Sequence, residues 1–276
     1  MEENFNVDDI LEKFDKPTPL SSGGQKVVFT IYHQEFGKCV LKIGCFNSQS
    51  SLERIQREVS VLNELDSNYF PRTFHFEVVD LNRFYIIEEL LNGATLDQHF
   101  SEYSSENKAS SLIYEIVLAL DLLWERRIVH RDIKPKNIII TEMGPRIIDL
   151  GIARLLDATS LTNSFAPFGP CTPDYASPEQ LENRKKDIDH RSDQFNLGII
   201  LAQLLLEGLH PFDPSIVGGD SIPINIISSI WAEDLLRDRV SLPMIIILRR
   251  LLGREPYQRY RLVEELETQL QSIGKS

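Results

Sequence analysis

Residues 130–137 read His-Arg-Asp-Ile-Lys-Pro-Lys-Asn, and this octet decides the fold. A long apolar stretch, predicted as a buried helix over 111–127, precedes it, and the run Ile138-Ile139-Ile140 follows it. A second apolar run then leads into Asp149-Leu150-Gly151. Two acids, an amide and a lysine should therefore lie in polar loops at the ends of buried elements.

Loops that carry these side chains at this spacing suit the transfer of a phosphoryl group from Mg-ATP. Asp132 can orient a hydroxyl group and accept its proton, and Lys134 can meet the transferring phosphate. Asn137 and Asp149 can hold magnesium. On these residues the chain resembles the eukaryotic-like (Hanks-type) serine/threonine protein kinase family. The resemblance implies ATP and Mg²⁺ as cofactors, with Mn²⁺ as the alternative metal, and proteins as substrates.

The resemblance also implies an α+β, bilobal fold. A small antiparallel β-sheet lobe with one main helix should precede a larger, mainly helical lobe. The order of the elements agrees, because strand patterns dominate the first part of the chain and helix patterns the rest. We expect an N-terminal extension over 1–19, the first lobe over 20–91 and the second lobe over 92–276, with a single catalytic domain over 20–272.

Composition and charge narrow the class of protein. A chain of 276 residues, 42% of them hydrophobic, can bury a sizeable core. The net charge of −12 argues against a nucleic-acid binder. The acidic start does not resemble a signal peptide, and the most apolar helix candidate, 197–209, is too short and polar to span a bilayer. We expect a cytoplasmic protein without a membrane anchor, and its sparse, odd set of cysteines agrees: Cys39, Cys45 and Cys171. The oligomeric state stays open.

The first 16 residues place Ile10, Leu11 and Phe14 at helical spacing. This pattern predicts a short helix packed on the domain, with a docking segment for a partner as the alternative. Pro17 and Pro19 then end any helix.

Residues 21–29, Ser-Ser-Gly-Gly-Gln-Lys-Val-Val-Phe, lie between two predicted strands. Adjacent glycines allow a tight turn and a close approach of backbone N–H groups to phosphates. The stretch resembles the Gly-rich loop of the family, although only one of its glycines falls on the pattern, and a simple hairpin turn is the alternative. The resemblance implies that ATP binds at these positions: Ser21, Ser22, Gly23, Gly24 and Val28.

Lys42 interrupts an apolar strand pattern over 39–43. A buried ammonium group needs an anionic partner. The strand resembles the Val-Ala-Ile-Lys strand of the family, which implies that Lys42 binds the α- and β-phosphates of ATP. Its expected partner is Glu58, on a helix predicted over Leu52–Leu65. A solvent-facing Glu58 is the alternative.

A β-hairpin predicted over 72–89 leads into a stretch that resembles the linker between the lobes. The resemblance implies that Glu89 and Leu91 meet the edge of adenine through their backbone groups. The spacing places Glu88 at the position that gates the rear of the nucleotide pocket. A shift of one residue places Ile87 there instead, and the sequence does not decide between them.

Residues 149–179 resemble the activation segment of the family and end in Cys-Thr-Pro-Asp-Tyr-Ala-Ser-Pro-Glu. Leu150 stands where the family has phenylalanine, and its side chain is likewise apolar. Thr172 is expected to form hydrogen bonds near the catalytic aspartate and lysine. Glu179 is expected to form a buried ion pair with Arg259, whose loss should cost about 3–5 kcal/mol.

Two arginines in or near this segment lead to a hypothesis about its regulation. Arg131 and Arg154 could pair with a phosphate group and so order the segment. We expect autophosphorylation here, with an unmodified polar loop as the alternative. The candidate acceptors are Thr159, Ser160, Thr162 and Ser164, and Thr172 belongs to the same segment.

Residues 192–198 resemble the start of the large central helix of the second lobe. Ser192 or Asp193 is expected to cap its N-terminus. The resemblance gives Asp193 a structural role, because it would anchor the backbone of the catalytic loop. His130 and Arg131 are likewise assigned to the structure of that loop.

These patterns together predict a serine/threonine protein kinase. A first rival is a pseudokinase-type scaffold or nucleotide-gated binding protein, suggested by the imperfect glycine loop and by Leu150. A second rival is a small-molecule phosphotransferase of the antibiotic-kinase type. Enzymes of that type lack the segment before Glu179 and the helix start at 192–198, both of which this chain contains.

Overall fold

The computed structural model describes residues 7–23, 26–46, 48–65, 67–149 and 172–274. These residues form two compact units, one made of residues up to Asn92 and the other of residues from Gly93 onward. The first unit is built on a β-sheet and the second is mainly helical. This division confirms the predicted α+β class.

The first unit contains the predicted antiparallel sheet, which has five strands, and its described elements are α1 (Asp8–Leu11), β1 (Asp15–Gly23), β2 (Lys26–His33), β3 (Gly37–Cys45), α2 (Gln49–Leu65), β4 (Thr73–Val78) and β5 (Arg83–Glu89). All neighbouring strands are antiparallel, in the order β1-β2-β3-β5-β4. The hairpin predicted over 72–89 is confirmed as β4 and β5.

The N-terminal segment covers one face of this sheet. Leu41 and Ile87 are partners in the β3–β5 register. Both are buried in one apolar cluster with Ile10 of α1, and Phe14 packs against that cluster. The short helix predicted near the N-terminus therefore forms and packs on the domain. Strand β1 begins at Asp15, within the segment predicted as an extension.

Helix α2 covers the opposite face. Ile55 and Val59 recur at helical spacing and pack against Phe84 and Ile86 of β5. Lys42 is the register partner of Ile86. Because paired residues of neighbouring strands project to the same face, Lys42 lies on the face that α2 covers.

The second unit contains a small antiparallel sheet, in the order β6-β7-β8, and a set of helices. The strands are β6 (Ala94–Thr95), β7 (Ile138–Thr141) and β8 (Gly144–Ile147). The helices are α3 (Glu106–Trp124), α4 (Pro178–Leu181), α5 (His190–Leu205), α6 (Pro214–Val217), α7 (Ile222–Ile227), α8 (Glu233–Arg237), α9 (Leu242–Leu251) and α10 (Val263–Gly274). Residues 214–237 thus contain the three short helices α6, α7 and α8.

Helix α5 is the central element of this unit, because almost all of its side chains are buried. It packs closely on α9 at Gly198, where a Cβ atom would lie 2.8 Å from the Cβ atom of Leu251. A glycine is therefore needed at this position to let the two helices approach. None of the helices in the described ranges has the length and hydrophobicity that crossing a bilayer needs.

The predicted N-cap of α5 is wrong. Asp189 caps the helix, because its carboxylate accepts the backbone N–H of Arg191 at 2.8 Å. Ser192 and Asp193 lie inside the first turn and are fully buried. Their side chains form hydrogen bonds to other parts of the unit, so neither can cap the helix.

Candidate active site

An acid, a hydroxyl group and an ammonium group form a triangle in the second unit. The Oγ1 atom of Thr172 donates to Oδ1 of Asp132 at 2.9 Å. The Nζ atom of Lys134 donates to Oγ1 of Thr172 at 2.8 Å and to Oδ2 of Asp132 at 3.1 Å. The predicted contacts of Thr172 are therefore present. They place a carboxylate where it accepts a hydrogen bond from a hydroxyl group, beside a positive charge.

Asn137 is tied to the same aspartate. Its Nδ2 atom donates to the backbone oxygen of Asp132 at 2.8 Å and to Oδ2 at 3.3 Å. The side chain is buried within a short 3₁₀ turn, Pro135–Asn137, that leads into β7. Since an amide nitrogen does not ligate metals, Oδ1 is the atom through which Asn137 could hold a cation.

Two further hydrogen bonds join the loop 130–137 to Ile148, the residue before Asp149. The backbone oxygen of Asn137 accepts the N–H of Ile148 at 2.9 Å. The oxygen of Ile148 accepts Nε2 of His130 at 3.2 Å. These bonds hold the backbone of Ile148 and so fix the position of the next residue, Asp149.

Asp149 and Arg131 share an uncommon backbone conformation. Their φ angles are +58° and +65°, in the left-handed region. Such a conformation costs on the order of 1–3 kcal/mol at a residue other than glycine and is often found at functional sites. Both residues therefore lie at points where the surrounding structure holds the chain under strain.

Asp193 anchors the loop 130–137 through the backbone of that loop. Its Oδ1 atom accepts the N–H of Arg131 at 2.7 Å, and its Oδ2 atom accepts the N–H of His130 at 2.9 Å. Oδ2 also accepts Nε1 of Trp124 at 2.9 Å. Full burial raises the pKa of Asp193, and His130 together with the three N–H donors works against that rise. The contacts expected of Asp193 are present.

Glu179 and Arg259 form the predicted buried ion pair. Two parallel hydrogen bonds, of 2.6 and 2.9 Å, join the guanidinium group to the carboxylate, and both side chains have no exposed surface. The hydroxyl of Ser192 donates to the same carboxylate at 2.6 Å. Burial alone would raise the pKa of Glu179, but Arg259 and Ser192 hold it below its usual range.

In the first unit, Lys42 forms an ion pair with Glu88. The Nζ atom lies 2.5 Å from Oε2, and the two side chains are only 9% and 7% exposed. Glu88 therefore lies on the sheet face of Lys42, whereas Ile87 is buried in the cluster on the opposite face. This geometry favours Glu88 over Ile87 as the residue at the gating position. The half-buried Glu58 lies on α2, and its pairing with Lys42 stays a prediction.

The two strands that flank the predicted nucleotide loop pair with each other. Ser21, Ser22 and Gly23 end β1, and Gly23 pairs with Lys26 at the start of β2. Val28 is the register partner of Ser21 on one side and of Lys42 on the other. Gly24 lies outside the described residues, as does the part of the predicted activation segment over 150–171, which includes Leu150, Arg154, Thr159, Ser160, Thr162, Ser164 and Cys171.

The linker positions follow β5. Glu89 is the last residue of that strand, and its Oε2 atom accepts the N–H of Arg72 at 3.2 Å. Leu91 comes two residues later, outside regular structure. The backbone contacts predicted for these residues with adenine stay predictions.

Sequence reasoning missed two residues, Trp124 and Gln180, that support the loop 130–137 through hydrogen bonds. Trp124 donates to Asp193, and Nε2 of Gln180 donates to the oxygen of Arg131 at 2.8 Å. A buried indole or amide needs a hydrogen-bond partner, but the sequence alone does not name that partner. The need for a partner also applied to Glu88 and Lys42, since each charge interrupts an apolar strand.

Comparisons with known proteins agree with this geometry. The family described as "Protein kinase domain" matches residues 14–270. A probable serine/threonine-protein kinase PknB of Lactococcus lactis is 31% identical over 83% of this chain and 36% of its own length. The serine/threonine-protein kinase PrkC of Bacillus subtilis is 28% identical over 92% of this chain and 39% of its own length. The serine/threonine-protein kinase pkn3 of Myxococcus xanthus is 28% identical over 93% of this chain and 49% of its own length. The chain thus spans less than half the length of these relatives.

Proposed function

Because this chain belongs to the eukaryotic-like serine/threonine protein kinase family, we propose that it transfers the γ-phosphoryl group of Mg-ATP to serine and threonine hydroxyls of proteins. The observation that carries the proposal is the triangle of Asp132, Lys134 and Thr172. It shows a proton acceptor and a positive charge grouped around a hydroxyl group, which is how this reaction needs them grouped around the hydroxyl of its substrate.

Asp132 would orient the attacking hydroxyl and accept its proton. Its carboxylate already accepts one hydroxyl hydrogen bond, from Thr172. Lys134 would offset the negative charge of the transferring phosphoryl group, because its ammonium group lies 3.1 Å from the same carboxylate. Catalysis would then rest on positioning and electrostatics, with little covalent chemistry by the protein.

The oxygen ligands at the site fit a divalent metal. The Asp149 carboxylate and the Asn137 amide oxygen are the hard ligands that Mg²⁺ prefers, and Mn²⁺ accepts them as well. Mg²⁺ commonly takes one or two protein ligands and completes its shell with water and phosphate oxygens. When bound, the metal would neutralise negative charge on the phosphates.

The first unit would bind the nucleotide. Lys42 would hold the α- and β-phosphates, with Glu58 as its partner on α2. The hairpin between β1 and β2 would cover the phosphates with its backbone N–H groups, through Ser21, Ser22, Gly23, Gly24 and Val28. Backbone groups of Glu89 and Leu91 would meet the adenine. The proposed catalytic domain spans 20–272.

We further propose autophosphorylation in the activation segment. Arg131 lies directly before the catalytic aspartate, and the segment carries hydroxyls at Thr159, Ser160, Thr162 and Ser164. Mass spectrometry after incubation with Mg-ATP tests this point. Phosphate within 157–172 is expected, and its absence from that stretch would contradict the proposal.

The test of the function is incubation of the purified protein with Mg²⁺, γ-labelled ATP and a generic basic protein as acceptor. Phosphoamino-acid analysis should find the label on serine and threonine, and removal of the metal with a chelator should abolish it. Nucleotide binding without any transfer would contradict the proposal and favour the scaffold alternative.

A further inference from the structure

We propose that Glu88 competes with the phosphates of ATP for Lys42 and thereby weakens nucleotide binding. The inference rests on the proposed function, in which Lys42 holds the α- and β-phosphates. Glu88 would then act as a positioning residue, because it pairs with the lysine before the nucleotide arrives.

The geometry of the pair carries the first step. Nζ of Lys42 and Oε2 of Glu88 are 2.5 Å apart, a short, charge-assisted contact. In the β3–β5 register, Lys42 is opposite Ile86 and Val40 is opposite Glu88. Glu88 therefore lies two residues from Ile86, the partner of Lys42, and Lys42 lies two residues from Val40, the partner of Glu88. All four side chains project to the same face, so the register itself brings the carboxylate to the lysine.

The surroundings of the pair carry the second step. Val40 and Ile86 are 9% and 2% exposed, and Ile86 packs with the apolar side chains of α2. Attraction between charges is stronger in such surroundings than in water. An ammonium group that is drawn to Glu88 presents a smaller net positive charge to a phosphate. The phosphates of the nucleotide must therefore draw Lys42 away from an anion that belongs to the protein.

The chemistry of the two groups gives the expected size of the effect. Glu88→Gln keeps the shape of the side chain and an oxygen that accepts from Lys42, but it removes the charge. Mg-ATP should then bind about tenfold more tightly, a difference that corresponds to about 1.4 kcal/mol. Glu88→Gln should improve the binding of Mg-ATP less in a Lys42→Met background, since the competition is for this one ammonium group.

The experiment is a calorimetric titration of Mg²⁺ with a non-hydrolysable ATP analogue. The variants are wild type, Glu88→Gln, Lys42→Met and the double variant. Glu64→Gln is the matched control, because it removes one negative charge from an exposed position of α2. Glu88→Gln should bind about tenfold more tightly than wild type, and Glu64→Gln should bind like wild type. In transfer assays the KM for ATP should fall for Glu88→Gln, while the KM for the acceptor protein stays unchanged.

Equal or weaker binding by Glu88→Gln would overturn the inference while leaving the proposed function intact. The proposed function fails, and the inference with it, if wild type and every variant bind no nucleotide. Should Glu88→Gln and the alternative Glu88→Met both fail to fold, the wild-type protein still decides. In a structure of its nucleotide complex, Nζ of Lys42 should have left Glu88 for a phosphate oxygen. An ion pair that stays unchanged beside a phosphate without contact to Lys42 would overturn the inference.

Discussion

The carboxylate of Asp193 accepts the backbone N–H of Arg131 at 2.7 Å, across 62 residues of sequence. The same carboxylate accepts N–H groups from His130 and Trp124 through its other oxygen. Both carboxylate oxygens are therefore acceptors for buried donors. One fully buried side chain thus fixes the backbone from which Asp132 projects.

Asp193→Asn should destabilise the protein by about 3 kcal/mol, because the NH₂ group of the amide must face an N–H donor in either orientation and leaves that donor unsatisfied. Urea unfolding would measure the change. Asp187→Asn, at a position whose side chain is 45% exposed, should change stability by less than about 1 kcal/mol. A similar, small effect for both variants would contradict the anchoring role.

The ion pair between Glu179 and Arg259 should behave as a coupled unit. Glu179→Gln or Arg259→Met alone leaves a buried charge without compensation and should cost about 3–5 kcal/mol. The double variant should be less destabilised than the sum of the two single variants, because neither charge remains. Unfolding of all four proteins at pH 7 gives the coupling energy, and simple additivity would argue against the pair as the source of the effect.

An exposed pair provides the control for this cycle. Arg250 and Glu265 form an ion pair whose side chains are 30% and 45% exposed. Water and salt screen such charges. Glu265→Gln should therefore change the free energy of unfolding by less than about 1 kcal/mol.

His210 should make stability depend on pH. Burial lowers its pKa to about 4, and its Nδ1 atom accepts the N–H of Phe212 at 3.3 Å, which requires the unprotonated ring nitrogen. The unfolded chain takes up this proton near pH 6.5, the folded chain only near pH 4. The contribution of His210 to the free energy of unfolding is therefore fully present above about pH 6.5. As the pH drops toward 4, the free energy of unfolding decreases by up to about 3 kcal/mol.

The variant His210→Asn isolates this contribution. The asparagine oxygen can accept the N–H of Phe212 but does not titrate. Urea unfolding between pH 8 and pH 5 should show a smaller loss of stability for the variant than for wild type. Parallel pH profiles for the two proteins would show that His210 does not carry the effect.

The N-terminal segment should contribute to the stability of the first unit. Ile10 is fully buried on the sheet, and Asp9 binds Arg83 with two hydrogen bonds, of 2.8 and 2.9 Å. Ile10→Ala should cost about 2–5 kcal/mol through lost packing. Glu12→Ala, at an exposed position, is the control. An unchanged thermal midpoint for Ile10→Ala would show that the segment is only loosely attached.

The parts of the structure that sequence reasoning anticipated are those in which both partners belong to motifs. Glu179 and Arg259 lie 80 residues apart, yet each stands in its own recognisable pattern, so their contact could be predicted. The same holds for Thr172 with Asp132, and for Asp193 with the catalytic loop. In these cases a buried charged or polar group needs a partner, and a second motif contains the residue that can be that partner.

The missed features depend on register and on local backbone geometry. The N-cap was placed at Ser192 or Asp193, whereas Asp189 caps the helix, because both predicted residues are used for tertiary contacts. The choice between Ile87 and Glu88 needed the pairing of β3 with β5. A shift of one residue along a strand reverses the face of every side chain, and the linear sequence does not show that shift.

The most direct test of the central claim is the initial rate of phosphoryl transfer to a protein acceptor by Asp132→Asn. Asp234→Asn, which removes the same charge at a fully exposed position, is the control. If Asp132 accepts the hydroxyl proton, its variant should bind nucleotide like wild type and transfer phosphate about 10²–10⁴-fold more slowly, while the control keeps the wild-type rate. Equal rates for Asp132→Asn and wild type would contradict the assignment of the catalytic aspartate.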